Sequence, residues 1–106
     1  MIVTTTPEVA GYRIVESLGQ VFGVVVRSRG LAGTLGAMFR SLGGGEIKQF
    51  TTLFEETRRH AIDRMVQNAQ AMGADGVVMM NFDSSEMGSV MAEVVAYGTA
   101  VKLERA

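Results

Sequence analysis

The stretch EIKQFTTLFEETRRHAIDRMVQNAQAMG, from Glu46 to Gly73, decides the fold. Phe50, Phe54, Thr57, Ala61, Met65, Ala69 and Met72 recur on one face of a helical period, and Leu53, Ile62 and Val66 widen that stripe. On the other side Glu55 stands one turn before Arg59 and Glu56 one turn before His60, the spacing at which such pairs support a helix. Gly43-Gly44-Gly45 breaks the chain ahead of the stretch, and Gly73 is placed to end it in a left-handed cap. The spacing predicts one long amphipathic helix over Glu46 to Met72 that needs a sheet to lie on.

The flanking segments supply that sheet. Downstream, Gly76 to Phe82 reads GVVMMNF, apolar at consecutive positions, which predicts a central strand covered on both faces. Ser84-Ser85-Glu86-Met87-Gly88 reads as a turn, and Val90 to Leu103 as a long strand. Met91, Val95, Tyr97, Val101 and Leu103 share one face of that strand; Val90, Ala92, Val94, Ala96, Gly98 and Ala100 share the other, which is apolar and small. Upstream, Pro7 blocks an early helix. Tyr12 to Leu18 alternates and Val21 to Arg27 is β-branched, so both read as strand, with Gly19-Gln20 as a bend or bulge between them. Leu31, Leu35, Met38, Phe39 and Leu42 recur at helical spacing, weakened by Gly30, Gly33 and Gly36, which predicts a short, marginal extra helix. The expected fold is α+β: a single domain over residues 1–106, a two-layer β-α-β-β subunit with a three-stranded, largely antiparallel sheet, one long helix and one short one.

Composition narrows the function. The 106 residues carry ten Lys and Arg against eleven Asp and Glu, scattered along the chain, so no basic stripe offers a footprint for nucleic acid. The absence of cysteine excludes disulfides, thiolate metal sites and a cysteine nucleophile. The opening MIVTTTPEVAG has no basic start leading into an apolar run, and no apolar stretch approaches the roughly 20 residues of a membrane span, so a cytoplasmic location is expected. One helix can cover only one face of a small sheet, while both faces of the last two strands are poor in charge. An uncovered face of that kind exceeds what a monomer normally tolerates, so a homo-oligomer is expected. The small face of the last strand, with Val90, Ala92, Val94, Ala96 and Ala100, is the expected contact between copies.

The motifs AMGADGVV (Ala71 to Val78) and YGTAVKLE (Tyr97 to Glu104), with the long helix before them and the hairpin between, give the chain a resemblance to the YbjQ-like family from Leu18 onward. The resemblance implies a β-α-β-β subunit, similar in type to dodecin subunits, assembled as a pentameric ring. It also carries the label of a putative heavy-metal-binding domain, without an established activity. Soft heavy metals favour thiolates or clustered imidazoles, and this chain has no cysteine and one histidine.

The residues themselves offer four candidate sites. Gly43, Gly44 and Gly45 precede the long helix with Lys48 nearby, an arrangement able to present amides and a counter-charge to a phosphate or carboxylate; the same glycines also serve simply to turn the chain. His60 lies among Arg58, Arg59 and Arg64, a cationic setting that disfavours a bound cation. Asp83, Glu86 and Glu93 offer oxygen ligands to a hard cation near the last hairpin, and Met79, Met80, Met87 and Met91 offer thioethers to Cu(I), although methionine also fills cores and interfaces. No catalytic triad, carboxylate pair or nucleotide fingerprint can be assembled, so no catalytic residue and no cofactor are assigned. The expected function is a non-catalytic, ring-forming protein that binds a small ligand or ion or acts as a scaffold; the alternative is a weak metal binder.

Overall fold

The computed structural model describes residues 1–28, 48–87 and 91–106. Four strands, β1 (Ile2–Val3), β2 (Tyr12–Ser28), β3 (Gly76–Met87) and β4 (Met91–Arg105), form one sheet, with the helix α1 (Lys48–Ala71) packed on it. The strand order is β1-β3-β4-β2, with β1 parallel to β3 and the other pairs antiparallel. The class is the expected α+β, but the sheet has four strands, not three. The extra one is two residues long, too short for any alternation to announce it in sequence.

Helix α1 ends as its sequence requires. Gly73 has φ +81, its N–H donates to the Gln70 carbonyl at 3.0 Å, and the Ala74 N–H donates to the Ala69 carbonyl at 3.0 Å. These two bonds are a Schellman cap, which satisfies carbonyls that the helix cannot bond itself.

Strand β2 runs unbroken through the two segments read as separate strands. The register shifts between Ser17 and Gly19, and Gly19 takes φ +110, so the irregularity anticipated at Gly19-Gln20 is a bulge within one strand. One other expectation fails. The residues Ser84 to Met87 are not a turn but the end of β3, paired from Ser84↔Val94 to Met87↔Met91. β3 is an inner strand as expected, with β4 on one side and β1 on the other, although β1 lies beside it only at Gly76 and Val77; β4, between β3 and β2, is the second inner strand. The consecutive apolar residues of β3 are nonetheless covered on both faces at its start. Val77 lies in the core beneath α1, and Val78 packs with Val9 and Val101 on the opposite face.

That second cover comes from the segment after β1. The Thr4 N–H donates to the Val77 carbonyl at 2.9 Å, the Met79 N–H to the Thr6 carbonyl at 3.1 Å, and the Met80 N–H to the Thr4 carbonyl at 2.9 Å. Opposite this segment β3 bulges between Val78 and Asn81, and Met79 holds φ 55 with its side chain 53% exposed. A non-glycine residue at positive φ is strained, and the paired amides on both sides of it keep it there.

The core sits where α1 meets β2 and β4: Ala61, Met65 and Ala69 from the helix against Val21, Val25, Ala96 and Ala100 from the sheet. Of the small face of β4, Ala96 and Ala100, with Val94 beside them, therefore lie under the chain's own helix and are not the free surface expected from sequence; Val90 lies outside the described residues. The smallness of that face has an intramolecular cause. At Gly23, on the same side of β2, an added Cβ would overlap the Ala61 carbonyl oxygen and the Met65 amide nitrogen, so the two backbones touch without an intervening side chain. Small residues at 96 and 100 extend that close approach along the neighbouring strand.

Replacing Gly23 with Ala should therefore lift α1 from the sheet and lower stability by about 1–3 kcal/mol, the usual range for overpacking. Urea unfolding followed by far-UV circular dichroism measures it, with the midpoint expected to fall.

Candidate functional site

The extended pairing of β3 and β4 carries the hairpin alongside the first half of α1, and a cavity opens between them. Its volume is about 660 Å³ and its walls are Thr51, Phe54, Glu55, Thr57 and Arg58 from α1, Ser84 and Ser85 from β3, and Glu93 and Val94 from β4. That volume falls within the roughly 300–1,000 Å³ of small-molecule sites.

Each wall has a sequence cause. Thr57 is the one polar residue among Phe54, Thr57, Ala61, Met65 and Ala69, the inward positions of the helix, and it is 4% exposed. Phe54, one turn earlier on the same stripe, is 56% exposed, so the helix carries its apolar face beyond the part of the sheet that covers it. Arg58 is anchored from below: its guanidinium carbon lies 5.2 Å from the centroid of the Phe82 ring, a cation–π contact that holds the charge at the cavity wall. Glu55, Thr51 and Ser84 give the walls a carboxylate and hydroxyls, and Ser85 and Glu93, the register pair next to Ser84 and Val94, lie at its edge. The cavity thus combines an apolar patch (Phe54, Val94) with Arg58, Glu55 and hydroxyl groups able both to donate and to accept hydrogen bonds.

Among the residues singled out from sequence, Gly43, Gly44 and Gly45 lie outside the described residues, as does the short helix expected over Leu31 to Leu42. Lys48 is the first residue of α1. His60 is exposed on α1 and does not line the cavity. Asp83 pairs with Val95 and Glu93 with Ser85, positions of one parity and so on one face of the hairpin, and Glu86 pairs with Ala92. Of the methionines, Met79 is exposed at the bulge, Met80 packs against the core, and Met87 and Met91 are register partners at the far end of the hairpin. Among the described residues no three His, Cys, Asp or Glu side chains stand together as metal ligands, and the chain contains no thiol. A soft heavy-metal site does not fit this donor set.

Sequence pattern does not join these walls into one site: by spacing Thr57 and Phe54 belong to the inward stripe of the helix, Ser84 and Ser85 have the composition of a turn, and Val94 belongs to the small face of the last strand. The threonine within an otherwise apolar stripe is the one signal of it.

Residues 1–104 match the family described as putative heavy-metal-binding, the YbjQ type. The chain is 59% identical over 106 residues to a UPF0145 protein of Bradyrhizobium sp. (strain ORS 278), covering 100% of this chain and 96% of that protein. It is 50% identical over 101 residues to a UPF0145 protein of Sulfurisphaera tokodaii, covering 95% and 89% of the two chains. A crystal structure of a DUF74-family protein of unknown function from Pediococcus pentosaceus superposes with a TM-score of 0.63 at 18% identity, covering 98% of each chain, and bears on the fold alone. Among the described residues no helix is long and apolar enough to cross a membrane.

The two inward helix positions at the cavity should differ in their structural importance. Thr57→Val removes a buried hydroxyl and is expected to lower stability by about 1 kcal/mol, whereas Phe54→Ala, on a half-exposed ring, should change it by under about 0.5 kcal/mol. Paired urea titrations compare them, and a loss of several kcal/mol in Phe54→Ala would mean that the ring is covered.

Proposed function

The chain belongs to the YbjQ family described as putative heavy-metal-binding, and from that membership we propose that it is a ring-forming homo-oligomer, without catalysis, that holds a small ligand in the cavity between α1 and the β3–β4 hairpin. The whole of residues 1–106 acts as one cytoplasmic domain in this reading.

The shape of the subunit carries the oligomer. Its principal extents are 54 × 25 × 16 Å and its radius of gyration is 16.9 Å, against about 13 Å for a compact domain of 100 residues. A slab one helix and one sheet thick, with its larger buried cluster on one side and Phe22, Val24, Val26 and Tyr97 exposed on the other, supports association. Five as the number of copies follows the family resemblance, and the need to associate follows the shape. The cavity carries the ligand. Its mixed walls suit a small organic molecule with an apolar body set against Phe54 and Val94, and polar groups that meet Arg58 and the hydroxyls. Soft-metal binding has less support, because the chain lacks thiolates.

Three measurements test the reading. Native mass spectrometry should give a closed assembly, about 57 kDa for five 11.4 kDa chains, and a stable monomer at micromolar concentration would end the proposal. Because the chain has no tryptophan, Phe54→Trp places a single reporter at the cavity. A library of small acids, amines and alcohols should contain compounds that shift its emission in a saturable way. Dialysis against Zn²⁺, Cu⁺ and Ca²⁺ followed by elemental analysis should leave no stoichiometric metal; retained metal would favour the metal-binding alternative.

A further inference from the structure

Two opposite charges line the cavity without neutralising each other. Glu55 and Arg58 stand three residues apart on α1, a spacing at which such side chains can meet, yet among the described residues neither forms an ion pair. Arg58 lies instead over the Phe82 ring, its guanidinium carbon 5.2 Å from the centroid. Stacking occupies one face of a guanidinium and leaves its in-plane N–H groups, the ones that match the two oxygens of a carboxylate. The side chain is thus held in place with its donors available.

The apolar lining stands beside these charges. Phe82 and Ser84 of β3 pair with Ala96 and Val94 of β4, and Ala96 is buried under α1, so by alternation these positions belong to the face of the sheet that the helix covers. Phe54, one turn before Arg58 on the helix, is 56% exposed and shares the cavity with Val94. A ring left open on a cavity wall is a surface on which a second apolar or aromatic group gains by stacking.

We infer that the ligand of this cavity is a free α-amino acid with a large apolar side chain, its carboxylate on Arg58, its ammonium on Glu55 and its side chain against Phe54 and Val94. The inference rests on the small-ligand reading above and names the class of that ligand. Charge selects it. Side chains three apart on a helix start from Cβ atoms about 5–6 Å from each other, so their charged ends can reach two groups borne on one carbon atom, which is how an α-amino acid carries its ammonium and carboxylate. A simple acid would set its negative charge beside Glu55, and a simple amine its positive charge beside Arg58, each a contact of like charges. The Ser84 hydroxyl, able to donate and to accept, serves either polar group of the zwitterion.

Isothermal titration calorimetry on the full chain tests this with L-phenylalanine, L-leucine, glycine, hydrocinnamate, which is phenylalanine without its ammonium, and phenethylamine, which is phenylalanine without its carboxylate. L-Phenylalanine should bind saturably, and glycine, hydrocinnamate and phenethylamine at least about 10-fold more weakly. Glu55→Gln should erase the preference for phenylalanine over hydrocinnamate, and Arg58→Gln the preference for phenylalanine over phenethylamine. Both side chains are exposed, so the far-UV circular dichroism of the variants should match wild type. Each preference is a ratio within one variant, which a general loss of stability does not imitate. Hydrocinnamate or phenethylamine binding the wild type as tightly as phenylalanine overturns the inference, as does either preference surviving in its variant. If neither L-phenylalanine nor L-leucine binds while other compounds still shift the emission of Phe54→Trp, the inference falls and the cavity reading stands; if nothing binds, both fall.

Discussion

Everything in this subunit depends on how closely one helix approaches one sheet. At Gly23 the backbone of β2 lies against the backbone of α1 at Ala61 and Met65, with no side chain between them. That contact forces the neighbouring positions to be small, which is why Ala61 and Ala69 on the helix and Ala96 and Ala100 on β4 are fully buried. Packing at this distance leaves little volume to fill, and among the largest fully buried side chains are Met65, Val77 and Val101. A core built from small side chains gains limited hydrophobic energy per residue. The single subunit is accordingly thin, and its remaining apolar surface faces outward on the opposite side of the sheet.

The same approach fixes where the cavity can form. The helix is held tightly at Ala61, Met65 and Ala69, and its earlier turns run alongside the far end of the β3–β4 hairpin, where Thr57 is buried but Phe54 is not. The polar walls therefore come from positions that in sequence look like a helix surface and a turn. Arg58 illustrates this. It belongs to the charged side of the helix by spacing, yet its stacking on Phe82 brings it to the cavity.

The helix, its cap and the strand content were legible because each has a periodic or conformational signature: the recurrence from Thr57 to Ala69, the glycine at 73, the β-branched run at Val24 to Val26. The direction in which the small face of β4 points was not. Val94, Ala96 and Ala100 announce close packing, but a sequence of small residues does not distinguish a contact with the chain's own helix from one with another copy; only the glycine at 23, opposite Ala96 in register, breaks the tie. β1 escaped notice because two residues have no period, and the bulge at Met79 because methionine carries no preference for positive φ. The site was legible only as fragments, since Thr57, Ser84 and Glu93 belong to three elements whose adjacency is set by the hairpin's length. The extra length was hidden because Ser84 to Met87 have the composition of a turn and the pairing of a strand.

One feature of the sheet also governs how the molecule comes into being. β2, near the start of the chain, pairs along its whole length with β4 at the end, from Ser28↔Met91 to Tyr12↔Arg105. The two strands of this pairing are separated in sequence by α1 and β3, so the 17-residue β2 stays unpaired until β4 reaches it. Contacts so distant in sequence make folding slow, with α1 able to form early but not to dock until the sheet is in place. During that interval Val21 to Val26 are an unpaired β-branched edge, open to pairing with other chains, a hazard that arises from connectivity alone.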